Sequence, residues 1–312
     1  MLAQTRRLLL AWCDNYAVSA NEKFERRIEW LRTLPFIGMH FMCAGVIWVG
    51  VSTTAVIVAV ALYVLRMLAI TGFYHRYFSH RTFRTSRALQ FVFAVLGTLA
   101  VQRGPLWWAA HHRHHHAHAD KVEDSHSPAQ HGFWWSHAGW FMNRSNFATR
   151  IELVRDLARF PELRFLDRFD VVAPIALAAG LYFAGSAVGH AYPALETSGA
   201  QWLIWGFFIS TVVLYHVTFT VNSLAHTFGR RRYEIRDDSR NNWLLALLTF
   251  GEGWHNNHHY FPGSVRQGFY WWEVDLTYYV LRGLAACGLI WQLKSVPLRI
   301  RDARRPALAA RS

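Results

Sequence analysis

The sequence predicts an all-α integral membrane protein: four transmembrane helices in two hairpins, joined to a helical cytoplasmic cap that holds a two-metal centre. Three observations lead there. Apolar residues make up 53% of the 312-residue chain and charged residues 17%, below the roughly 25% of an average soluble domain. The cations are unevenly placed, with no Lys or Arg between Arg32 and Arg66 or between Arg168 and Arg230. Most of the 18 histidines fall in three tight clusters: His75 and His80; His111 to His118; and His255, His258 and His259.

The amino-terminal run MLAQTRRLLLAWCDNYA holds only a brief apolar stretch before its charges, so it does not read as a signal peptide, and an internal span is expected to supply targeting. Residues 36–70 form the first hairpin: Phe36 to Val51, a turn at Ser52 and Thr53, then Thr54 to Ile70. As one helix this gap would be about 50 Å long, too long for a roughly 30 Å hydrocarbon core, whereas two short spans fit. Residues 71–168 are expected in the cap with the first two histidine clusters. Their apolar stretch Ala88 to Val101 has 14 residues, short of the about 20 a span needs, and crossing would separate His75 from His112. It is read as interfacial or buried. Residues 171–221 form the second hairpin, Val171 to Val188 and Trp202 to Val221, split by the turn-rich HAYPALETSGA. Residues 222–312 return to the cap with the third cluster. There, Val274 to Leu293 contains Arg282, and crossing would export the basic tail RIRDARR, so it is read as an interfacial helix. The whole chain, 1–312, is expected to be one domain.

HAYPALETSGA carries no cation, so the positive-inside rule sets it outside and leaves both termini and all three clusters in the cytoplasm, with a bacterial inner membrane as the expected setting. The formal charge of +13 then belongs to the inner face, where it meets anionic lipid or an acidic partner rather than nucleic acid. Cys13, Cys43 and Cys287 have neither disulfide nor metal spacing.

Neutral imidazole is the commonest metal ligand, and His-x-x-His-His puts its first and third histidines at i and i+4 of a helix, where they can close on one ion. The pattern occurs as His112, His115 and His116, and again as His255, His258 and His259, with His226 in NSLAHTFG as a further candidate. Eight or nine imidazoles exceed the needs of one ion but suit two ions with open positions. Iron fits best, although nitrogen-only ligation also admits zinc and copper. A metal pair facing an apolar slot points to oxidation of a greasy substrate, for which the protein supplies geometry and excludes water. No Ser/His/Asp order, phosphate-cradling glycine loop or dinucleotide fingerprint competes.

His75-Arg-Tyr-Phe-Ser-His80, His112-Arg-His-His115-His116, Asn222-Ser-Leu-Ala-His226 and His255-Asn-Asn-His258-His259 resemble, in order and spacing, the boxes of membrane acyl-CoA desaturases of the stearoyl-CoA desaturase type, from about Leu65 to Tyr279. The resemblance implies two iron ions bound by His75, His80, His112, His115, His116, His226, His255, His258 and His259, with Asn222 reaching one iron through water. It implies no catalytic side chain beyond the metal centre. It further implies dioxygen, electrons from a ferredoxin or a cytochrome with its reductase, and a cis double bond, at delta-9, in a saturated long-chain acyl-CoA. Arg144 matches a residue that contacts the CoA head group, and Trp108 is a candidate for the acyl slot. The chain departs from animal members at Ala110, His111 and Ser145, where those carry Arg, Asp and a second basic residue. Phospholipid-bound and carrier-protein-bound acyl chains therefore stay open beside CoA.

His111, His114 and His118 fall off the box spacing and are expected outside the ligand set, as are His126, His131 and His137. His40 and His216 lie inside spans but belong to no box. Asp120, Glu123 and Asp124 read either as groups that orient ligand imidazoles or as a solvated loop. Trp107, Trp254, Trp271 and Trp272 read as slot lining or interfacial anchors. Two other functions remain at this stage: a fatty acyl or alkane hydroxylase on the same scaffold, and a metal transporter or sensor, which would want ligands within the spans.

Overall fold

Four helices in the structure, a computed structural model that describes residues 10, 12–17 and 27–303, are long and apolar enough to cross a membrane. Residues 1–9 and 304–312, which hold part of the amino-terminal run and the end of the basic tail, lie outside the described residues. In chain order, the elements that position the site are α1 (Trp30–Val49), α2 (Thr53–Ser79), strand β1 (Arg84–Thr85), α3 (Arg87–Thr98), α4 (Pro105–His118), α5 (Pro161–Arg168), α6 (Val172–Ala191), α7 (Gly199–His226), α8 (His255–Tyr260), α9 (Leu276–Ala286) and strand β2 (Ile290–Trp291). The four long ones are α1, α2, α6 and α7.

The spans are helical because they are long, mainly apolar runs whose backbone groups only a helix satisfies from within, and their outer faces are largely apolar. Phe41 and Trp48 on α1 are 76% and 79% exposed, as side chains facing hydrocarbon would be. The chain turns from α1 into α2 at Gly50, whose φ of +66° only glycine adopts freely, and Ser52 Oγ then caps α2 by accepting from the Ala55 N–H. Arg66, one of two cations in α2 with Arg76, is fully buried. Its guanidinium donates to Thr211 Oγ1 and Ser210 Oγ, both at 2.6 Å, and to Gly206 O at 3.3 Å, all on α7. A charge at this depth persists only when its donors are met, so Arg66 pins α2 to α7. At the α6–α7 contact a Cβ on Gly199 would lie 2.1 Å from Tyr182 O, so only glycine permits this close backbone approach.

Several expected boundaries move: the first span begins at Trp30 rather than Phe36, and the fourth runs to His226 rather than Val221. The second span continues past Ile70 to Ser79, because Thr71, Tyr74, His75 and Arg76 are buried against protein and find partners there rather than lipid. Its last turns are wound with i→i+5 hydrogen bonds, such as His80 N–H to His75 O at 3.2 Å, a widening common at functional sites. The apolar stretch 274–293 is helical only over Leu276–Ala286. It breaks at Gly288 (φ +72°), and β2 pairs antiparallel with β1, Ile290 opposite Thr85. The helix α3 is short, half-buried and packed on the end of α2, with Phe93 stacked on Phe73 at 3.9 Å.

The core sits where α2, α3, α4 and α5 meet, around Tyr74, Phe78, Leu106, Leu163 and Leu166. Asp167 of α5 caps α4, its Oδ1 accepting the Trp107 N–H at 2.7 Å. Burial pushes this carboxyl up to about 6, although the Thr149 hydroxyl and the Trp107 N–H work against the rise.

Candidate metal centre

Each histidine box rides on a separate helix. His75 is on the widened end of α2 and His80 follows it; His112, His115 and His116 are on α4; His226 ends α7; His255, His258 and His259 are on α8. Their ring nitrogens converge in two groups, each with its donor atoms within 4.8 Å of one another: His75, His80, His112, His116 and His258 in one, His115, His226, His255 and His259 in the other. Helical spacing explains the division. The i, i+4 pair His112/His116 faces the first group and His255/His259 faces the second, while His115 and His258 cross over.

The contacts run from Nε2 to Nε2: His80 to His112 at 2.7 Å, His116 to His258 at 2.9 Å, His75 to His258 at 3.0 Å and His226 to His255 at 3.0 Å. The opposite nitrogen of four rings meets a carboxylate: His75 Nδ1 meets Glu252, His115 Nδ1 meets Asp124 at 2.9 Å, His226 Nδ1 meets Asp120 at 2.8 Å, and His259 Nδ1 meets Asp237 at 3.2 Å. A carboxylate there holds the proton on Nδ1 and turns the Nε2 lone pair inward, the arrangement that suits a cation. Burial first, and then the neighbouring imidazoles, hold His112, His116, His255, His258 and His259 well below the ordinary histidine value, in the neutral form a metal requires. Burial alone would raise Asp124, but His115 and then His126 hold it far below the carboxylate range. The donor set therefore fits transition-metal ions.

Asp120 and Asp124 thus orient imidazoles, while Glu123 is exposed. Glu252 and Asp237 were not singled out from the sequence. Glu252 stands three residues before His255, close enough for proximity to have flagged it; Asp237 has no spacing signal. The asparagines inside HNNHH are structural. Asn256 Oδ1 accepts the N–H groups of Arg232 and Tyr233 at 2.7 Å, and Asn257 Nδ2 donates to Glu273 at 2.9 Å, so α8 is held from its back while its histidines face the centre. His111, His114, His118, His131, His137, His40 and His216 lie outside both groups. His126 stacks on His115 and shares its carboxylate, Asp124.

An apolar cavity of about 790 Å³ opens from this centre, with His75 and His112 of one group and His115 and His255 of the other on its wall. It follows one face of α6 along Pro174, Ile175, Ala178, Ala179, Tyr182 and Phe183, opposite Met39 of α1 and Leu203 and Phe207 of α7. Asn222 and Trp108 line it, and Trp108 stacks on His112 with centroids 5.0 Å apart. Among the described lining residues Trp107 appears, but Trp254, Trp271, Trp272 and Arg144 do not. Arg144 sits instead in the Arg144–Asn146 turn capped by Asn143. The basic side chains at the cavity are Arg32 and Arg103, the latter 3.2 Å from Asp170, and the sequence offered no signal for either. His111 also lines it, 4% exposed, between Trp107 and Trp140.

A family model described as fatty acid desaturase matches residues 52–290. The chain is 39% identical over 276 residues to the sn-1 stearoyl-lipid 9-desaturase of Anabaena variabilis, covering 86% of this chain and 94% of that protein. It is 35% identical over 276 residues to delta-9 acyl-lipid desaturase 1 of Arabidopsis thaliana, covering 88% and 86%. It is also 39% identical over 232 residues to the icosanoyl-CoA 5-desaturase of Limnanthes douglasii, covering 73% of this chain and 61% of that one.

Proposed function

The chain belongs to the fatty acid desaturase family, and from that premise we propose that it introduces one cis double bond, at delta-9, into a saturated long-chain acyl group carried by a membrane lipid. Desaturation of fatty acyl groups by an oxygen-dependent membrane oxidoreductase follows from the family; the position, carrier and metal are our reading. The observation that carries it is two groups of converging imidazoles on the wall of an apolar cavity of about 790 Å³ that runs along the membrane spans. We assign two iron ions to them: His75, His80, His112, His116 and His258 for one, His115, His226, His255 and His259 for the other, with Asn222 acting through water. Iron with open positions supplies the dioxygen activation and oxidising power that unactivated C–H bonds demand. The chain does the rest. Asp120, Asp124, Asp237 and Glu252 fix the imidazole rings, Trp108 packs His112 against the slot, and the apolar faces of α1, α6 and α7 hold the acyl chain straight and dry.

The carrier reading moves from CoA to lipid. Arg144 lies off the cavity, Ala110, His111 and Ser145 replace the groups implied for a CoA contact, and the cavity's own cations, Arg32 and Arg103, stand beside membrane spans. Two relatives, matched over 94% and 86% of their own length, are named for lipid-linked substrates. We place α1 with α2, and α6 with α7, as two hairpins of a single domain, the histidine-bearing layer facing the cytoplasm of a bacterial inner membrane with both termini, where a ferredoxin or a cytochrome with its reductase delivers electrons. A transporter reading is weaker, since none of the four spans carries a carboxylate and, among the described residues, their histidines outside the metal centre, His40, His190 and His216, join no group of three or more converging ligand atoms. The test is direct. Iron-loaded protein in nanodiscs receives a reducing system and either stearoyl-phospholipid or stearoyl-CoA. Loss of two hydrogens from the lipid supports the proposal, the same loss from CoA alone overturns the carrier, and gain of one oxygen makes the protein a hydroxylase.

A further inference from the structure

The cavity at the metal centre reaches the surface between two membrane spans. Among its described lining residues, the exposed ones are Pro35 on α1 and Ile175, Ala179, Tyr182 and Phe183 on α6, with Ile175 63% and Phe183 69% exposed. None of the described lining residues from the cap is exposed, and Trp107, His111, His126 and Trp140 are buried. The mouth therefore opens onto hydrocarbon.

Helical spacing gives this mouth its shape. Ile175, Ala179 and Phe183 stand at i, i+4 and i+8 of α6, a stripe about 12 Å long, and Arg32, Pro35 and Met39 at i, i+3 and i+7 of α1 form the facing stripe. Both helices start on the histidine-bearing side, because α1 turns into α2, which carries His75 at its far end, and α6 turns into α7, which ends at His226. The stripes thus run in the same direction. Each helix is fastened to α7 rather than to the other. Gln201 Nε2 donates to Val49 O at 2.9 Å, His40 Nε2 meets His216 Nε2 at 3.0 Å, and His216 Nδ1 meets His137 Nε2 at 3.1 Å, which ties α1 to α7 and to the cap. The close approach of Gly199 to Tyr182 O ties α6 to α7. Among the described residues no hydrogen bond, ion pair or ring contact joins α1 to α6, and Leu203 and Phe207 of α7 form the floor between them.

Charge along this slit is confined to one end. Its exposed rim carries none, whereas two guanidiniums, Arg32 and Arg103, line the cavity on the histidine-bearing side. Arg32 shares the α1 stripe with Pro35, and Arg103 Nε lies 3.2 Å from Asp170 Oδ2, two residues before α6. Arg32 Nη2 donates to Asn15 Oδ1 at 2.6 Å and Arg103 Nη2 to Phe147 O at 2.7 Å. Among the described residues these contacts occupy a minority of the five N–H groups that each guanidinium carries. Asp170 is the only carboxylate of the described lining at this end, so two cations face one anion on the wall. A phospholipid matches that pattern along its length, with an anionic phosphate at head-group level and acyl chains in hydrocarbon. The nucleotide of CoA would instead need a polar mouth.

We propose that a phospholipid acyl chain enters the cavity sideways from the bilayer through the slit between α1 and α6, while Arg32 and Arg103 hold the phosphate of the same lipid at the slit's histidine-side end. The proposal rests on the lipid-carrier reading and deepens it. Sideways entry spares the chain from threading end-on past the buried aromatic and histidine side chains of the cap. It also decides where affinity comes from. An acyl chain that leaves lipid for an apolar cavity loses little contact with water, so its transfer is nearly neutral, and the phosphate contact must discriminate substrate from bulk lipid.

The experiment uses the full chain in nanodiscs. A stearoyl-phospholipid with a photoreactive group near its methyl end should label Phe207 and Ile70 of the metal-free protein, since both line the cavity and are buried from surrounding lipid, and excess unlabelled stearoyl-phospholipid should compete. Ala179→Trp and Ile175→Trp, each filling the rim, should abolish this labelling, whereas Ile57→Trp, on an exposed part of α2 away from the cavity, should leave it intact. In the iron-loaded enzyme the two rim variants should keep their metal and lose turnover of phospholipid. Arg32→Gln should raise KM for stearoyl-phospholipid about tenfold, the worth of one hydrogen bond to a charged group, and leave KM for a phosphate-free stearoyl-galactolipid unchanged. Labelling or phospholipid turnover at wild-type levels in both rim variants overturns the slit, as does loss of metal from both. An Arg32→Gln effect that is absent, or equal for the two lipids, overturns the phosphate seat. A wild type that desaturates stearoyl-CoA alone overturns the lipid-carrier reading instead.

Discussion

Replacing Asp124 by asparagine should weaken one metal group and spare the other. Asp124 is fully buried; its Oδ2 accepts from His115 Nδ1 at 2.9 Å and from the Asp120 N–H at 3.0 Å, and its Oδ1 from the His126 N–H at 3.3 Å. Asparagine keeps the shape, but one of its two outer atoms becomes an NH₂ that cannot accept. Whichever way the amide turns, a donor meets a donor, and the charge that makes the His115 contact strong is gone. Loss of such an orienting partner typically lowers metal affinity about 10- to 100-fold, or about 1.4 to 2.7 kcal/mol. His115 belongs to the group with His226, His255 and His259, and none of His75, His80, His112, His116 or His258 touches Asp124. Titrating iron-loaded protein with a chelator and counting the metal retained should therefore split one transition into two, half the metal leaving early. Glu123→Gln, an exposed neighbour, should leave the curve unchanged. Equal weakening of both halves, or no shift at all, refutes the orienting role.

Three further outcomes follow from the fold. Arg66→Ala removes a buried guanidinium and leaves Ser210 and Thr211 without their donor, which should cost about 3 kcal/mol, read as a lower thermal unfolding midpoint in detergent; a wild-type midpoint refutes the pin between α2 and α7. Phe207 lines the cavity fifteen residues before Asn222, about 22 Å along the helix, so Phe207→Ala should lengthen the slot and favour an acyl chain one methylene longer by roughly tenfold in relative kcat/KM. An unchanged product profile places the chain end elsewhere. Burial raises the Asp167 carboxyl to about 6 in the folded protein, above its unfolded value of about 3.9, so the wild type loses stability as pH climbs between the two and stands about 3 kcal/mol lower at pH 8. Asp167→Asn, uncharged, should gain midpoint relative to wild type at pH 8 and gain nothing at pH 4; a gain independent of pH refutes the cause.

Much of the spans was legible because lipid leaves little choice: a run without cations and long enough to cross must satisfy its own backbone, and only a helix does so. The edges were less legible. Ile70 looked like the end of the second span because Thr71 and His75 are polar, but Thr71 Oγ1 meets Thr277 Oγ1 at 2.7 Å and His75 meets Glu252, partners more than 170 residues away that the local sequence does not disclose. The stretch 274–293 is apolar throughout, and only the turn at Gly288 and the pairing of Ile290 with Thr85 show why its helix stops.

The sequence by itself determined the chemistry-bearing residues that come in local patterns. His-x-x-His-His names its own helix face, so the pairs His112/His116 and His255/His259 could be foreseen as neighbours. What only the tertiary structure decided are the relations between segments: that His115 joins His226 rather than His112, that Asp237 and Glu252 hold ligand rings, that Arg32 and Arg103 rather than Arg144 stand at the cavity, and that His40, His216 and His137 line up into one chain. The reason is physical. Helical periodicity is set within a few residues by the backbone, whereas a hydrogen bond between residues 176 apart, such as His40 to His216, exists only once separate helices have packed and fixed where each side chain ends.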